Sequence, residues 1–150
     1  MLIVALGASN TAGYGVTSEA AYPAVLERLL RVHGLAAVVK NAGVAGHTTA
    51  QMLARLDRDI PAGTQVVIFQ PGSNDARTGV SAADREANIK RIAEALVRRR
   101  IPVVRVAAAF EAATPGNLQS DGIHFTERGH GLIAEHLINQ VVAALKHGTS

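Results

Sequence analysis

The sequence opens MLIVALGASNTAGYG (residues 1–15), and how this stretch is read decides the fold. Leu2 to Leu6 form a short, continuously apolar run. It passes into a loop of small residues holding Ser9, Asn10 and Thr11, and the next large side chain is Tyr14. A run that is apolar throughout, rather than alternating, fits a strand covered on both faces, as in a parallel sheet between helix layers. Such a strand ending on a serine, with bulk pared away around it, displays a hydroxyl at the sheet edge where open α/β sheets bind ligands.

Working outward, three more apolar runs follow: Ala36–Val39, Gln65–Phe69 and Ile101–Val106. Segments of helical period separate them. Pro23 to His33 puts Val25, Leu26, Leu29 and Leu30 on one face, and Gly34 follows as a C-cap. Thr49 is expected to cap a short helix carrying Met52, Leu53 and Leu56, which stops at Pro61. Ser81 and Asp84 open a third helix with Ile89, Ile92 and Leu96 at helical spacing, and Pro102 lies beyond its end. The last helix starts near Thr126 and repeats Ile133, Leu137 and Val141 down to Gly148. The pattern predicts one doubly wound α/β domain over residues 1–150, with a parallel sheet of four to five strands.

Composition narrows the function classes. The chain is 48% hydrophobic and 18% charged, as expected of a soluble globular protein. Aromatics make up 3%, so core packing falls to aliphatic residues. No apolar run approaches the ~18 residues of a membrane span. No signal-peptide pattern is present in this sequence. The absence of cysteine excludes disulfides and thiolate metal sites and leaves the compartment open. The formal net charge of +3 comes without a basic stripe interleaved with aromatics, so no nucleic-acid partner is expected. Arg98, Arg99 and Arg100 fall where a helix should end, and cations there suit its dipole. His130 and His136 are too far apart for an i, i+4 metal pair and are expected on a helix surface.

Four polar, small-residue segments fall at the carboxyl ends of the runs or before the last helix: GASNTAGYG (7–15), NAGVAGHTT (41–49), QPGSNDAR (70–77) and DGIHFTERGH (121–130). Their chemistry is complementary. A serine becomes nucleophilic when a base takes its proton, and the base works best when a third group fixes its tautomer. Asp121 and His124, three apart before a helix, can place a carboxylate against an imidazole. Acyl transfer also needs donors aimed at the developing oxyanion. Gly46 offers an unobstructed backbone N–H and Asn74 a side-chain amide. A 2-1-3-4 strand order would stand Ser9 between them. His47 is a rival base, expected without a partner and facing solvent.

In these four segments, taken in order, the chain resembles the SGNH hydrolases, or GDSL-type esterases and lipases. The resemblance makes Ser9 the nucleophile and its N–H the first oxyanion donor, with Gly46 and Asn74 as the others and Asp121 and His124 completing the triad. It implies a three-layer, flavodoxin-like fold and hydrolysis of small-molecule esters or thioesters through an acyl-enzyme, without a cofactor. Two departures stand out. Ala8 replaces the family's usual aspartate before the serine. Only fourteen residues separate Val106 from Asp121, which puts a fifth strand and one pocket wall in question.

The loops around Ser9 offer Tyr14, Val44, Pro71, Ile123 and Phe125 as a shallow apolar lining. Asp75 closes its own loop or lines the substrate entrance. This favours short acyl groups and good leaving groups over long-chain lipids. Thioesterase, lysophospholipase and sugar acetylesterase activities are alternatives, and a second copy of the chain is a candidate for a missing wall. The competing class is a non-catalytic, phosphate- or nucleotide-binding module. The glycine-rich first loop suits it, but no G-x-x-x-x-G-K-[ST] run is present.

Overall fold

The computed structural model describes residues 1–147. Four parallel strands, β1 (Leu2–Gly7), β2 (Val38–Gly43), β3 (Thr64–Phe69) and β4 (Val103–Arg105), form one sheet in the order β2-β1-β3-β4. The helices are α1 (Ser9–Ala12), α2 (Tyr22–Val32), α3 (Thr49–Ala54), α4 (Leu56–Asp59), α5 (Asn74–Arg77), α6 (Ala82–Arg98), α7 (Ala107–Ala113) and α8 (Glu127–His147).

The central strands explain the layering. Successive strand side chains point to opposite faces. Ile3 and Ala5 of β1, with Val66 and Ile68 of β3, join a cluster containing Leu26 and Leu30 of α2 and Ile133, Leu137 and Val141 of α8. Val4 and Leu6, with Val67 and Phe69, join a second cluster with Met52 of α3 and Ile89, Ile92 and Leu96 of α6. Both central strands are apolar throughout because each face meets a helix layer. Every fully buried Leu or Ile of these clusters contributes roughly 1.5–3 kcal/mol, so the two cores together clamp the sheet. This is the α/β architecture expected from the sequence.

Several expectations change in detail. The second strand begins at Val38 rather than Ala36 and runs through Asn41 to Gly43, because its pairing with β1 continues to the Gly7–Gly43 register pair. It is an edge strand, with Val38 53% exposed, so only β1 and β3 are buried on both faces. Among the described residues there is no fifth strand. The segment after β4 instead folds into α7, which buries Ala109 and Ala113. Thr48, not Thr49, caps α3, through a capping box with Gln51. Ser81 caps α6 by accepting a hydrogen bond from the Asp84 N–H at 3.1 Å. That helix ends at Arg98, and Arg99 donates to the Ile60 carbonyl at 2.6 Å. Gly148, expected at the end of the last helix, lies outside the described residues.

Candidate active site

Ser9 is the first residue of α1, directly beyond β1. Its N–H therefore belongs to the first helical turn, which has no intrahelical acceptor. The turn from strand to helix is tight. A Cβ on Gly7 would collide with the Thr11 hydroxyl and come 2.6 Å from Gln70 Oε1, so only glycine fits. Gln70 Oε1 accepts hydrogen bonds from the Ala8 N–H at 3.0 Å and from the Thr11 hydroxyl at 2.7 Å. Thr11 has spent its single proton, so the Tyr22 hydroxyl, 2.9 Å away, donates to it. Tyr22 is wholly buried, and burial pushes its phenol pKa well up, keeping it a neutral donor. This buried chain fixes the nucleophile loop from below.

The loop before α8 meets Ser9 from the side. Asp121 Oδ1 accepts from the backbone N–H groups of Ile123 at 2.9 Å and His124 at 3.0 Å. Asp121 Oδ2 lies 2.5 Å from His124 Nδ1. The hydrogen bond from His124, followed by those two backbone donors, lowers the Asp121 pKa to about 2. An ionised carboxylate only accepts, so the imidazole proton sits on Nδ1. The Nε2 lone pair then faces Ser9 Oγ at 2.9 Å. Asn10 fastens the two loops together: its Nδ2 donates to the Ile123 carbonyl at 3.1 Å and its Oδ1 accepts from the Phe125 N–H at 3.2 Å. Gln119 adds a second tie, donating to the carbonyls of Tyr14 and Phe125, each at 2.8 Å. The Tyr14 ring lies over His124 with centroids 4.3 Å apart.

The other two loops converge on the same edge. Gly46 is exposed and adopts φ +82, a left-handed conformation that favours glycine. Asn74 opens α5 and donates from Nδ2 to the His47 carbonyl at 3.0 Å, tying its loop to the Gly46 turn; among the described residues its second amide proton has no acceptor. Arg55, 5% exposed, donates to the strand-end carbonyls of Gly7 at 2.9 Å and Ala42 at 2.7 Å and pairs with Asp59 at 2.7 Å. The same guanidinium donates from Nε to His47 Nδ1 at 3.1 Å. His47 is thus half-buried and partnered, against the expectation of a free, solvent-facing imidazole. Burial first, and then Arg55 and Arg58, lower its pKa.

Of the residues expected to line the substrate site, Pro71 and Ile123 line a cavity of about 340 Å³ together with Asn10, Ser73 and Phe110. Tyr14, 55% exposed, covers His124 instead of lining that cavity. Val44 is half-buried at the start of the Gly46 turn, where its N–H donates to the Gly7 carbonyl at 3.1 Å. Three expectations are overturned. Phe125 is 3% exposed and packs edge-on against Phe110 at 5.0 Å, because the chain turns inward there to begin α8. Asp75 is fully buried, and its carboxylate accepts from the Thr49 N–H at 2.9 Å and the Thr49 hydroxyl at 2.6 Å. It is a strut between loops and does not face the substrate side. His130 is likewise fully buried rather than on a helix surface, accepting from the Tyr22 N–H at 3.0 Å. Among the described residues, no group of side chains is placed to hold a metal ion, and no helix is long and apolar enough to cross a membrane.

A sheet-edge serine, an imidazole and a carboxylate in hydrogen-bonded series define the serine hydrolase class of site on an α/β fold. Residues 5–117 match the model of the GDSL-like Lipase/Acylhydrolase family, and the chain belongs to that family. An arylesterase of Vibrio mimicus is 35% identical over 78 residues, which span 51% of this chain and 39% of that protein. AlinE4, an SGNH-hydrolase family esterase, is 31% identical with a TM-score of 0.71, over 96% of both chains. The psychrotrophic esterase EstA from Pseudoalteromonas sp. has the same fold, with a TM-score of 0.81 at 16% identity, over 97% of this chain and 98% of that one.

The sequence names Asn10 and Thr11 only as small loop residues beside Ser9, and it gives Gln70, Arg55 and Gln119 no role. Each has at least one hydrogen-bond partner far off in the chain. The only local signal is that three of them stand within or beside the polar loops.

Proposed function

We propose that this protein is a serine esterase that hydrolyses small carboxylic esters through an acyl-enzyme. The observation that carries this reading is the series Ser9 Oγ–His124 Nε2 at 2.9 Å and His124 Nδ1–Asp121 Oδ2 at 2.5 Å. Ser9 Oγ attacks the ester carbonyl while His124 Nε2 takes its proton. Asp121 holds the Nδ1 tautomer and stabilises the imidazolium. The oxyanion that forms is met by the N–H groups of Ser9 and Gly46 and the free amide proton of Asn74. His124 then returns its proton to the leaving alkoxide, leaving acyl-Ser9. Water, deprotonated by the same imidazole, hydrolyses this ester and regenerates the serine.

The cavity beside Ser9 supports short acyl groups and activated leaving groups. Its bulky apolar lining is confined to Pro71, Val106, Phe110 and Ile123. Each buried methylene contributes about 0.8 kcal/mol only where a wall exists to receive it. The name of the Vibrio mimicus relative points to aryl esters as first substrates. The test is hydrolysis of a 4-nitrophenyl ester series with wild type and Ser9→Ala, with mass analysis after a fluorophosphonate probe. The reading expects kcat/KM to peak between acetate and butyrate. It also expects kcat to fall by roughly 10⁴-fold or more in Ser9→Ala, with the probe mass on the peptide containing Ser9. Full activity in Ser9→Ala, with another serine labelled, would overturn it.

A further inference from the structure

The cavity beside Ser9 is bordered by Asn10, Ser73 and Ile123, the chain neighbours of Ser9, Asn74 and His124. Its lining also holds Arg85 and Arg105 and, among the described residues, no carboxylate. The two arginines are held in different ways. Arg85 is anchored, donating from Nη2 to the Gly72 carbonyl at 2.8 Å. Its one ion pair among the described residues, to Glu86 at 3.4 Å, is loose and solvent-exposed on the glutamate side, at 70% exposure. A pair of that kind neutralises little of the charge that Arg85 presents.

Arg105 closes β4, and its guanidinium carbon sits 5.3 Å from the centroid of the Phe69 ring. Among the described residues it forms no ion pair. A flat guanidinium resting on a buried aromatic face keeps its edge N–H groups free and loses less freedom on meeting an anion. Two cations with spare donors, and no acid among the described residues that line the cavity, leave its charge unbalanced.

We propose that this cavity selects esters carrying a carboxylate, with Arg105 as the principal contact and Arg85 as the second. The inference rests on the esterase reading and names its substrate class. Arg105 is solvent-exposed and Arg85 half-buried, but cations that served solubility alone would need no anchor. Here one is stacked and the other is tied to the Gly72 carbonyl, two residues before Asn74.

The experiment has two arms, because the carboxylate can lie on either side of the scissile bond. Mono-4-nitrophenyl adipate is compared with 4-nitrophenyl hexanoate for the acyl side. Sodium 4-acetoxybenzoate is compared with methyl 4-acetoxybenzoate for the leaving-group side. In one arm, wild type is expected to favour the charged ester through KM, and that preference should weaken as NaCl rises from about 0.05 M to about 0.5 M. Arg105→Gln should cut the charged-to-neutral ratio of kcat/KM about tenfold, the scale of a lost charge-assisted hydrogen bond. Arg105→Lys should restore part of the ratio and Arg85→Gln should lower it less. Calorimetric binding of each charged ester and its neutral counterpart to Ser9→Ala reads the same preference without turnover. No preference in either arm, or a preference that survives Arg105→Gln combined with Arg85→Gln, overturns the inference. An equal loss on charged and neutral esters overturns it as well, by assigning Arg105 a merely structural role. Absence of turnover of every ester with the calorimetric preference intact would count against the esterase reading alone.

Discussion

His130 offers a quantitative test of how the fold beneath the site is held. It lies near the start of α8, wholly buried against the rings of Tyr22 and Phe125, and its Nε2 has no partner among the described residues. Its Nδ1 accepts the Tyr22 N–H at 3.0 Å, so the folded protein needs the neutral ring with its proton on Nε2. Burial alone lowers its pKa from 6.5 to about 4. An unfolded chain takes up this proton near 6.5, the folded one only near 4, so between those values the unfolded state holds more protons. The stabilisation is therefore complete above pH 6.5 and is lost as pH falls towards 4. At ~1.4 kcal/mol per pH unit the interval corresponds to on the order of 3 kcal/mol, a large part of the stability of an ordinary domain. His130→Asn places a non-titrating amide oxygen where Nδ1 accepts. Urea unfolding of both proteins at half-unit steps from pH 7 to 4 should show wild type losing about 3 kcal/mol relative to the variant. Parallel stability profiles would refute the reasoning and mean that water or a structural opening solvates His130.

Four other outcomes are expected. Asn74→Ala should lower kcat about 10²–10³-fold with KM little changed, since its amide acts on the developing oxyanion. A defect confined to KM would make it a substrate-holding residue. Asp121→Asn should lose most of kcat, because an amide at that position no longer enforces the Nδ1–H tautomer; retained kcat on an aryl acetate would remove Asp121 from the mechanism. Asp75→Ala should destabilise the fold by about 1–3 kcal/mol, through the unpaired Thr49 donors, and calorimetric melting without a change in stability would contradict the strut role. Gly7→Ala should both lower Tm and weaken turnover, because a Cβ there displaces Gln70 and Thr11 beneath Ser9. Normal turnover in that variant would show that the buried chain does not position the nucleophile.

The parallel sheet was readable because both central strands carry unbroken apolar runs, and the helices because Leu26, Ile92 and Ile133 recur at helical spacing. The candidate nucleophile, base and carboxylate were readable for a related reason. Polar, small residues gathered at the carboxyl ends of several strands, where open α/β sheets bind ligands, are hard to ascribe to packing alone. The ends of elements were less legible. Asn41 and Gly43 look like loop residues, yet they pair with β1 because a neighbouring strand supplies partners that the local sequence does not name. Gly43 also sits where any Cβ would collide with the backbone of Ala12, a close approach that only the packed structure creates.

What tertiary structure alone decided is which polar and aromatic residues face inward. Asp75 lies next to Asn74 in the chain, but its carboxylate meets Thr49, twenty-six positions earlier. Phe125 follows His124 and turns into the core, while Tyr14, in a flexible-looking glycine loop, covers the imidazole. His130 reads as a surface helix position until Tyr22 arrives above it from the other end of the chain. Periodicity reports which face of an element is apolar, because that follows from spacing along one segment. Burial of a particular polar group depends on whether a distant donor or acceptor compensates its desolvation, and that partner is chosen only when the layers close.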